Sequence, residues 1–217
     1  LIIKKIYKLL KNYQISSKII LDLFDGIQSD LKNKVVLKTD KDLIIYSYRV
    51  AGTVGLMMAK ILKVKSKNSL KSAIDLGIAM QLTNIARDVV EDKKRNRSYI
   101  NPNFLTIKDT LRLADIFYDS SFNSINEISL NSRFAILVAR RVYRQIGKKI
   151  LTKKNMKNYK NSGKIYVSNF GKIIQTFLSI FDLIKLIFFK FNKLKKESKY
   201  NMIHNIINKK IDLNERV

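Results

Sequence analysis

The sequence predicts an all-α protein, and three observations carry that expectation. Only 7 Gly and 1 Pro punctuate 217 residues, too few for the turns of a β-sandwich. Apolar residues recur at three- and four-residue spacing through most of the chain, the stripe of a half-buried helix. A hydrophobic share of 46% at this length supplies one sizeable core, hence one domain.

Taken in order, residues 1–13 place Ile2, Ile3, Ile6, Leu9 and Leu10 at helical spacing between lysines. Position 1 is Leu rather than Met, so the chain is expected to be truncated at its N-terminal side. Ser16 or Ser17 is positioned to cap the next helix, which carries Ile19, Ile20, Leu23, Phe24 and Ile27. Its Asp22, Asp25 and Asp30 are expected to be structural rather than metal-binding, since acidic residues on an exposed helix face are the default. Asp40 or Asp42 is expected to cap a helix reaching Leu62, on which Tyr46, Val50, Thr53 and Met57 share a stripe. Gly52 and Gly55 weaken that helix by roughly 1 kcal/mol each relative to Ala, which implies a close approach by a neighbouring helix or ligand.

The organising stretch is Gln81 to Asp92, within a helix expected from about Asn68 to Lys94. At about 100° per residue, Gln81, Asn84, Asp88, Glu91 and Asp92 fall on one face, with Arg95 continuing it. Ile78, Leu82, Ile85, Ala86 and Val89 fall on the other. Stacked carboxylates at i, i+4 repel, so an outside cation is expected to neutralise them. Oxygen-only ligands suit Mg²⁺, which binds through one or two carboxylates plus substrate phosphates. A solvated acidic face beside the basic residues 93–97 is the plain alternative. Pro102 ends the helical run, and residues 103–128, polar and weakly periodic, predict only short helices. Arg133–Leu151 reads as an amphipathic helix bearing Tyr143. Phe170–Phe191 is strongly apolar but interrupted by Asp182 and Lys185. A span needs about 20 predominantly apolar residues, so a closing core helix with one lipid-facing edge is expected. Residues 192–217 predict a mobile basic tail with a short helix around Met202–Ile207.

The absence of Cys removes disulfides, thiolate metal sites and a Cys nucleophile, and the single His204 excludes a His-rich metal site. The net charge of +26 would ordinarily suggest nucleic acid. However, Lys far outnumbers Arg, and the whole chain drifts towards Lys, Ile and Asn. No nucleic-acid partner is therefore expected. An anionic membrane surface is, at about 1 kcal/mol of attraction per basic residue near it. No signal peptide pattern is present at residues 1–5.

Asn84-Ile85-Ala86-Arg87-Asp88-Val89-Val90-Glu91-Asp92 resembles the second aspartate-rich motif of the squalene/phytoene synthase family. Tyr46-Ser47-Tyr48-Arg49-Val50-Ala51-Gly52-Thr53-Val54-Gly55 resembles that family's other hallmark, in its phytoene synthase form. The loop ending Tyr99-Ile100-Asn101-Pro102, the Tyr143 segment and Lys164-Ile165-Tyr166-Val167-Ser168 are similar to further family segments, with Lys164 where the family has Arg. The resemblance runs from about Asp22 to Phe181. It implies the isoprenoid synthase fold, a helical bundle around a central apolar cavity, with residues 1–191 as the C-terminal two-thirds of that domain and 192–217 as a basic tail.

It also implies head-to-head condensation of two prenyl diphosphates, geranylgeranyl diphosphate in the phytoene synthase case, through a cyclopropylcarbinyl diphosphate. Mg²⁺ is the implied cofactor, with Mn²⁺ as a substitute and no NADPH for the phytoene reaction. By the same resemblance Asn84, Asp88 and Asp92 are metal ligands supported by Glu91, while Gln81 and Arg87 contact substrate or diphosphate. Tyr46 and Tyr143 flank the reacting carbons or the diphosphate. The implied location is cytoplasmic and peripheral to a membrane. The family's first Asp-x-x-x-Asp motif is not found before Tyr46, which puts the competence of this chain alone in doubt. Farnesyl diphosphate enzymes of the squalene or dehydrosqualene type, and non-catalytic relatives acting in respiratory-complex assembly, remain alternatives.

Overall fold

The structure, a computed structural model, describes residues 2–188 and 204–217. It is built from helices: α1 (Ile2–Asn12), α2 (Ser17–Ser29), α3 (Asp40–Ser47), a π-helical turn (Tyr48–Gly52), α4 (Thr53–Ile61), α5 (Lys67–Lys94), α6 (Phe104–Phe122), α7 (Leu130–Leu151), α8 (Met156–Asn161) and α9 (Asn169–Phe188). A two-residue parallel ladder, β1 (Val35–Val36) on β2 (Arg97–Ser98), ties the loop after α2 to the loop after α5.

The long central helix begins where a serine caps it. The Ser66 hydroxyl accepts from the Ser69 amide, and no Gly or Pro stops the helix before Lys94 except Gly77, which packing explains. Its inner face, Ile74, Ile78 and Leu82, is fully buried against α6, α4, the π turn and α7. Helix α3 is capped by Thr39 rather than by Asp40 or Asp42, the Thr39 hydroxyl accepting from the Asp42 amide. Gly77 and Gly55 mark the crossing of α5 with α4. A Cβ on Gly77 would overlap the Ala51 carbonyl, and one on Gly55 would overlap the Ala73 carbonyl, so the glycines let two backbones touch.

Four further expectations change. Within residues 103–128, Phe104–Phe122 form one 19-residue helix, α6, followed by a short 3-10 turn at Asn123–Glu127, rather than short pieces throughout. Its start is capped by the Asn103 carboxamide, which accepts from the Thr106 amide at 2.8 Å. Its inward face includes Thr110, Ser120 and Ser121, so hydroxyls occupy positions where hydropathy looks for carbon. The Tyr46–Met57 stripe is broken, because the π turn adds a residue and rotates the helix beyond it. Helix α9 is not a core helix: Ser179 and Leu186 are buried, while Phe170, Ile173, Phe177, Ile180, Phe181 and Ile184 are exposed. It packs on α7, where Arg141 donates to Asp182 (Nη2–Oδ1 2.8 Å).

The fourth concerns the tail. Of the expected 192–217 segment, 192–203 lie outside the described residues, as do Met202 and Ile203 of its short helix. Residues 204–208 are helical. The described part is docked, not mobile, with Ile207, Ile211 and Leu213 buried. His204 bonds Asp75 (2.8 Å) on α5, and Arg216 donates to Asp22 (Nε–Oδ2 3.0 Å) on α2.

The aspartates of α2 take partners from a single stretch of the next helix. The Tyr48 hydroxyl donates to Asp22 at 2.8 Å, Arg49 to Asp25 at 3.0 Å, and the Tyr46 hydroxyl to Asp30 at 2.8 Å. Asp22 and Asp30 are thereby satisfied inside the protein.

Candidate functional site

The last turns of α5 carry a polar face. Gln81, Asn84, Arg87, Asp88, Glu91 and Asp92 are all half-buried there, as helical spacing requires. Arg87 grips its neighbour in a two-point pair, Nε to Asp88 Oδ1 at 2.8 Å and Nη2 to Oδ2 at 2.6 Å. Lys164, from the loop between α8 and α9, reaches Asp88 at 3.3 Å and Glu91 at 3.6 Å. Tyr159 of α8 fixes this turn from below, its hydroxyl lying 2.6 Å from the Arg87 carbonyl and 3.0 Å from that of Ala86.

These contacts divide the two aspartates. Burial opposes charge on Asp88, but the Arg87 hydrogen bond and charge, with Lys164 behind them, outweigh it and hold its carboxyl below the ordinary range. Asp92 has no such grip. Burial first, then the neighbouring charge of Asp88, raises it to about 6, against partial relief from Arg97 and Arg95. One helix turn therefore presents a carboxylate held below its ordinary range beside one raised above it.

A cavity of about 390 Å³ runs beside α5 towards its N-terminal end. Its walls are apolar, with Val50, Val54 and Met58 on the π turn and α4, and Leu76 and Met80 on α5. At the end nearest the acidic turn they give way to Gln81, Asn84 and Tyr143. Among the described residues the buried Asn84 Oδ1 has no hydrogen-bond partner, an arrangement that calls for a water, an ion or a ligand at the atom.

The structure thus brings Gln81, Asn84 and Tyr143 to one cavity and sets Arg87, Asp88 and Glu91 with Lys164 beside it. Asp92 instead borders a second hollow of about 250 Å³, with Lys34, Lys93, Arg97 and Tyr99. Tyr46 lines neither. It is buried, stacked on Tyr99 with ring centroids 4.8 Å apart, and both hydroxyls donate to Asp30. Burial, then the hydrogen bonds to Tyr99 and Asp30, pushes the Tyr46 phenol far above its usual range. Burial likewise takes Tyr99 to about 12. Sequence reasoning missed Tyr99 and Tyr159 as supports. Tyr99 stood in a matched motif, but nothing marked Tyr159.

Among the described residues, no three acidic or histidine side chains converge closely enough to hold a metal by themselves. The donor set still suits a hard cation. Carboxylates and an unsatisfied carboxamide oxygen are oxygen donors only, and Mg²⁺ commonly completes so sparse a set with substrate phosphates. Asn84, Asp88 and Asp92, with Glu91 beside them, are the residues that would hold it.

A model of the squalene/phytoene synthase family matches residues 2–106, which includes the whole polar face of α5. The chain is 37% identical to a 15-cis-phytoene synthase of Enterobacter agglomerans over 135 residues, covering 52% of this chain and 46% of that protein. It is 33% identical to a phytoene synthase of Pseudescherichia vulneris, covering 63% of this chain and 50% of that one. The chain spans about half the length of the curated relatives it matches. A crystal structure of a dehydrosqualene synthase in complex with ligand superposes with a TM-score of 0.63 at 25% identity, covering 79% of this chain and 67% of that one.

Proposed function

Because the chain belongs to the squalene/phytoene synthase family, we propose that it carries the second-motif half of a site for Mg²⁺-dependent head-to-head condensation of two geranylgeranyl diphosphates to phytoene, in carotenoid biosynthesis. The observation that carries the reading is the junction at Asn84, where an apolar cavity meets a polar, acidic helix face. A prenyl diphosphate has the same two-part chemistry. Its chain lies against Val54, Met58 and Leu76, and its diphosphate lies towards Asn84 and Asp88.

In the proposed reaction one diphosphate leaves, and the second substrate captures the allylic cation and loses a proton to diphosphate or solvent as it closes to a cyclopropylcarbinyl diphosphate. Loss of the second diphosphate, rearrangement and loss of a second proton then give the linked product. Mg²⁺, when bound, offsets negative charge as it develops on the leaving group. The chain's residues do the rest. Arg87 and Lys164 add positive charge beside Asp88, and Gln81 and Asn84 orient the diphosphate. Tyr143 lines the same end of the cavity as Asn84, and the apolar lining favours the isoprenoid chain over water. Tyr46 acts at one remove, holding the segment whose Val50 and Ala51 line the cavity.

The test is Mg²⁺-dependent conversion of geranylgeranyl diphosphate by this chain, read as phytoene, beside Mg²⁺-dependent binding of a non-hydrolysable thiolodiphosphate analogue. Asp88→Asn should weaken that binding at least about tenfold, or about 1.4 kcal/mol, and leave Mg²⁺-free binding unchanged. An Mg²⁺-indifferent protein would remove the metal role. One that neither binds nor converts C20 and C15 diphosphates would remove the synthase reading.

We also propose peripheral contact with an anionic bilayer through α9. Among the described residues, no helix is long and apolar enough to cross a membrane. The exposed Phe177, Ile180, Phe181 and Ile184 form an apolar side with Lys172 and Lys185 on the same helix, a pattern suited to lying at an interface. Phe177→Glu with Phe181→Glu should abolish cosedimentation with phosphatidylserine vesicles at low salt, whereas retained binding would shift the contact elsewhere.

A further inference from the structure

The cavity has a far end, and its residues differ from its walls. On α5 it runs from Asn84 back past Met80 and Leu76 to Ser72 and Ser69. At 1.5 Å per residue, Ser72 lies about 18 Å down the helix from Asn84. Val64, Ser69, Ile125 and Ile128 around that end are each less than a tenth exposed, and Ser72 and Ser124 are half-buried. Two small hydroxyl side chains face each other there, the Ser124 Oγ donating to the Ser72 Oγ at 2.8 Å. The Ser124 hydrogen is thereby spent on Ser72, and neither side chain fills the space that a branched or aromatic one would occupy.

We infer that Ser72 and Ser124 set the length of isoprenoid chain this cavity accepts, the hollow before them housing the fourth isoprene unit of a C20 chain. The inference rests on the prenyl-diphosphate reading above and adds to it which residues distinguish C20 from C15. The wall residues Val54, Met58, Leu76 and Met80 touch any chain of either length. Only the end beyond them meets the extra unit. A hydrophobic subsite discriminates about tenfold or more per buried methylene, so a difference of a whole isoprene unit is large enough to read.

The experiment uses the chain as it stands, with Mg²⁺, and measures binding of the thiolodiphosphate analogues of geranylgeranyl and farnesyl diphosphate. The wild-type protein should prefer the C20 analogue by at least about tenfold. Ser72→Phe should weaken C20 binding by a similar factor, leave C15 binding within about twofold, and leave the thermal midpoint in place. Ser72→Leu, a milder filling, should give a smaller loss in the same direction, which keeps the test intact should the phenylalanine variant not fold. Ser124→Ala removes the hydrogen bond but not the space, and should retain the wild-type preference.

Equal wild-type affinity for the two lengths, or a folded Ser72 variant that weakens both alike or neither, would overturn the length-setting role while leaving the prenyl-diphosphate site standing. Wild-type protein that binds neither analogue would overturn the site itself, and the length-setting role with it.

Discussion

Arg216→Met is expected to lower the unfolding free energy by about 3–5 kcal/mol, although it alters the penultimate residue of the chain. Asp22 is 6% exposed and accepts Arg216 Nε at 3.0 Å and Nη2 at 3.3 Å. Without the guanidinium its buried carboxylate retains, among the described residues, the Tyr48 hydroxyl. The cost then comes from the stranded charge rather than from the lost bond. Urea unfolding reads the effect as a drop in midpoint at constant slope. The double variant Asp22→Asn with Arg216→Met should recover much of the loss, since the stranded charge is gone. A single-variant loss under about 1 kcal/mol would mean that Asp22 is hydrated and the docked C-terminal segment contributes little.

The second large effect is expected at Gly77. Replacing a helical glycine with alanine ordinarily stabilises by about 1 kcal/mol. Here the sign should reverse. The new methyl meets the Ala51 carbonyl, and behind it the backbone nitrogen of Gly52. Backbone cannot rotate aside as a side-chain tip can, so a loss of about 3 kcal/mol is expected, the upper end for overpacking. The displaced wall carries Val50 and Val54, so affinity for a prenyl analogue should fall along with the thermal midpoint. A stabilised Gly77→Ala protein would show that α4 and α5 have room to part.

Features that depend on local pattern were legible in the sequence. The span of α5 comes from uninterrupted periodicity and a serine cap. Asp22, Asp25 and Asp30 have partners within the protein among Tyr46, Tyr48, Arg49 and Arg216, although Asp22 is buried rather than on the exposed helix face that suggested a structural role. The polar face from Gln81 to Asp92 could be drawn before any coordinates were known.

Features that depend on non-local pairing stayed hidden. Tyr46 and Asp30 are 16 residues apart, and Tyr46 and Tyr99 are 53 apart. No spacing rule reports that the hydroxyl expected at the reacting diphosphate is bound to this pair. Helix α6 escaped notice because Thr110, Ser120 and Ser121 hide an inward face from a hydropathy count. With α9 the error ran the other way. Its phenylalanines and isoleucines state that the helix is apolar, but not whether anything covers them. Ser72 and Ser124 look like ordinary helix and turn residues until they are seen at the end of a cavity.

The π turn at Tyr48–Gly52 lets one rod serve two purposes. Each residue advances a helix by about 100°, so the added residue of a π turn offsets the clocking of α4 against α3 by that angle. On the earlier side of the offset, Tyr46 and Tyr48 address the carboxylates of α2. On the later side, Val54 and Met58 address the cavity. In an unbroken α-helix Thr53 and Met57 would stand in the sector of Tyr46; the offset turns them out of it and brings Val54 and Met58 in, so one continuous backbone carries a buried phenol at one end and cavity lining at the other.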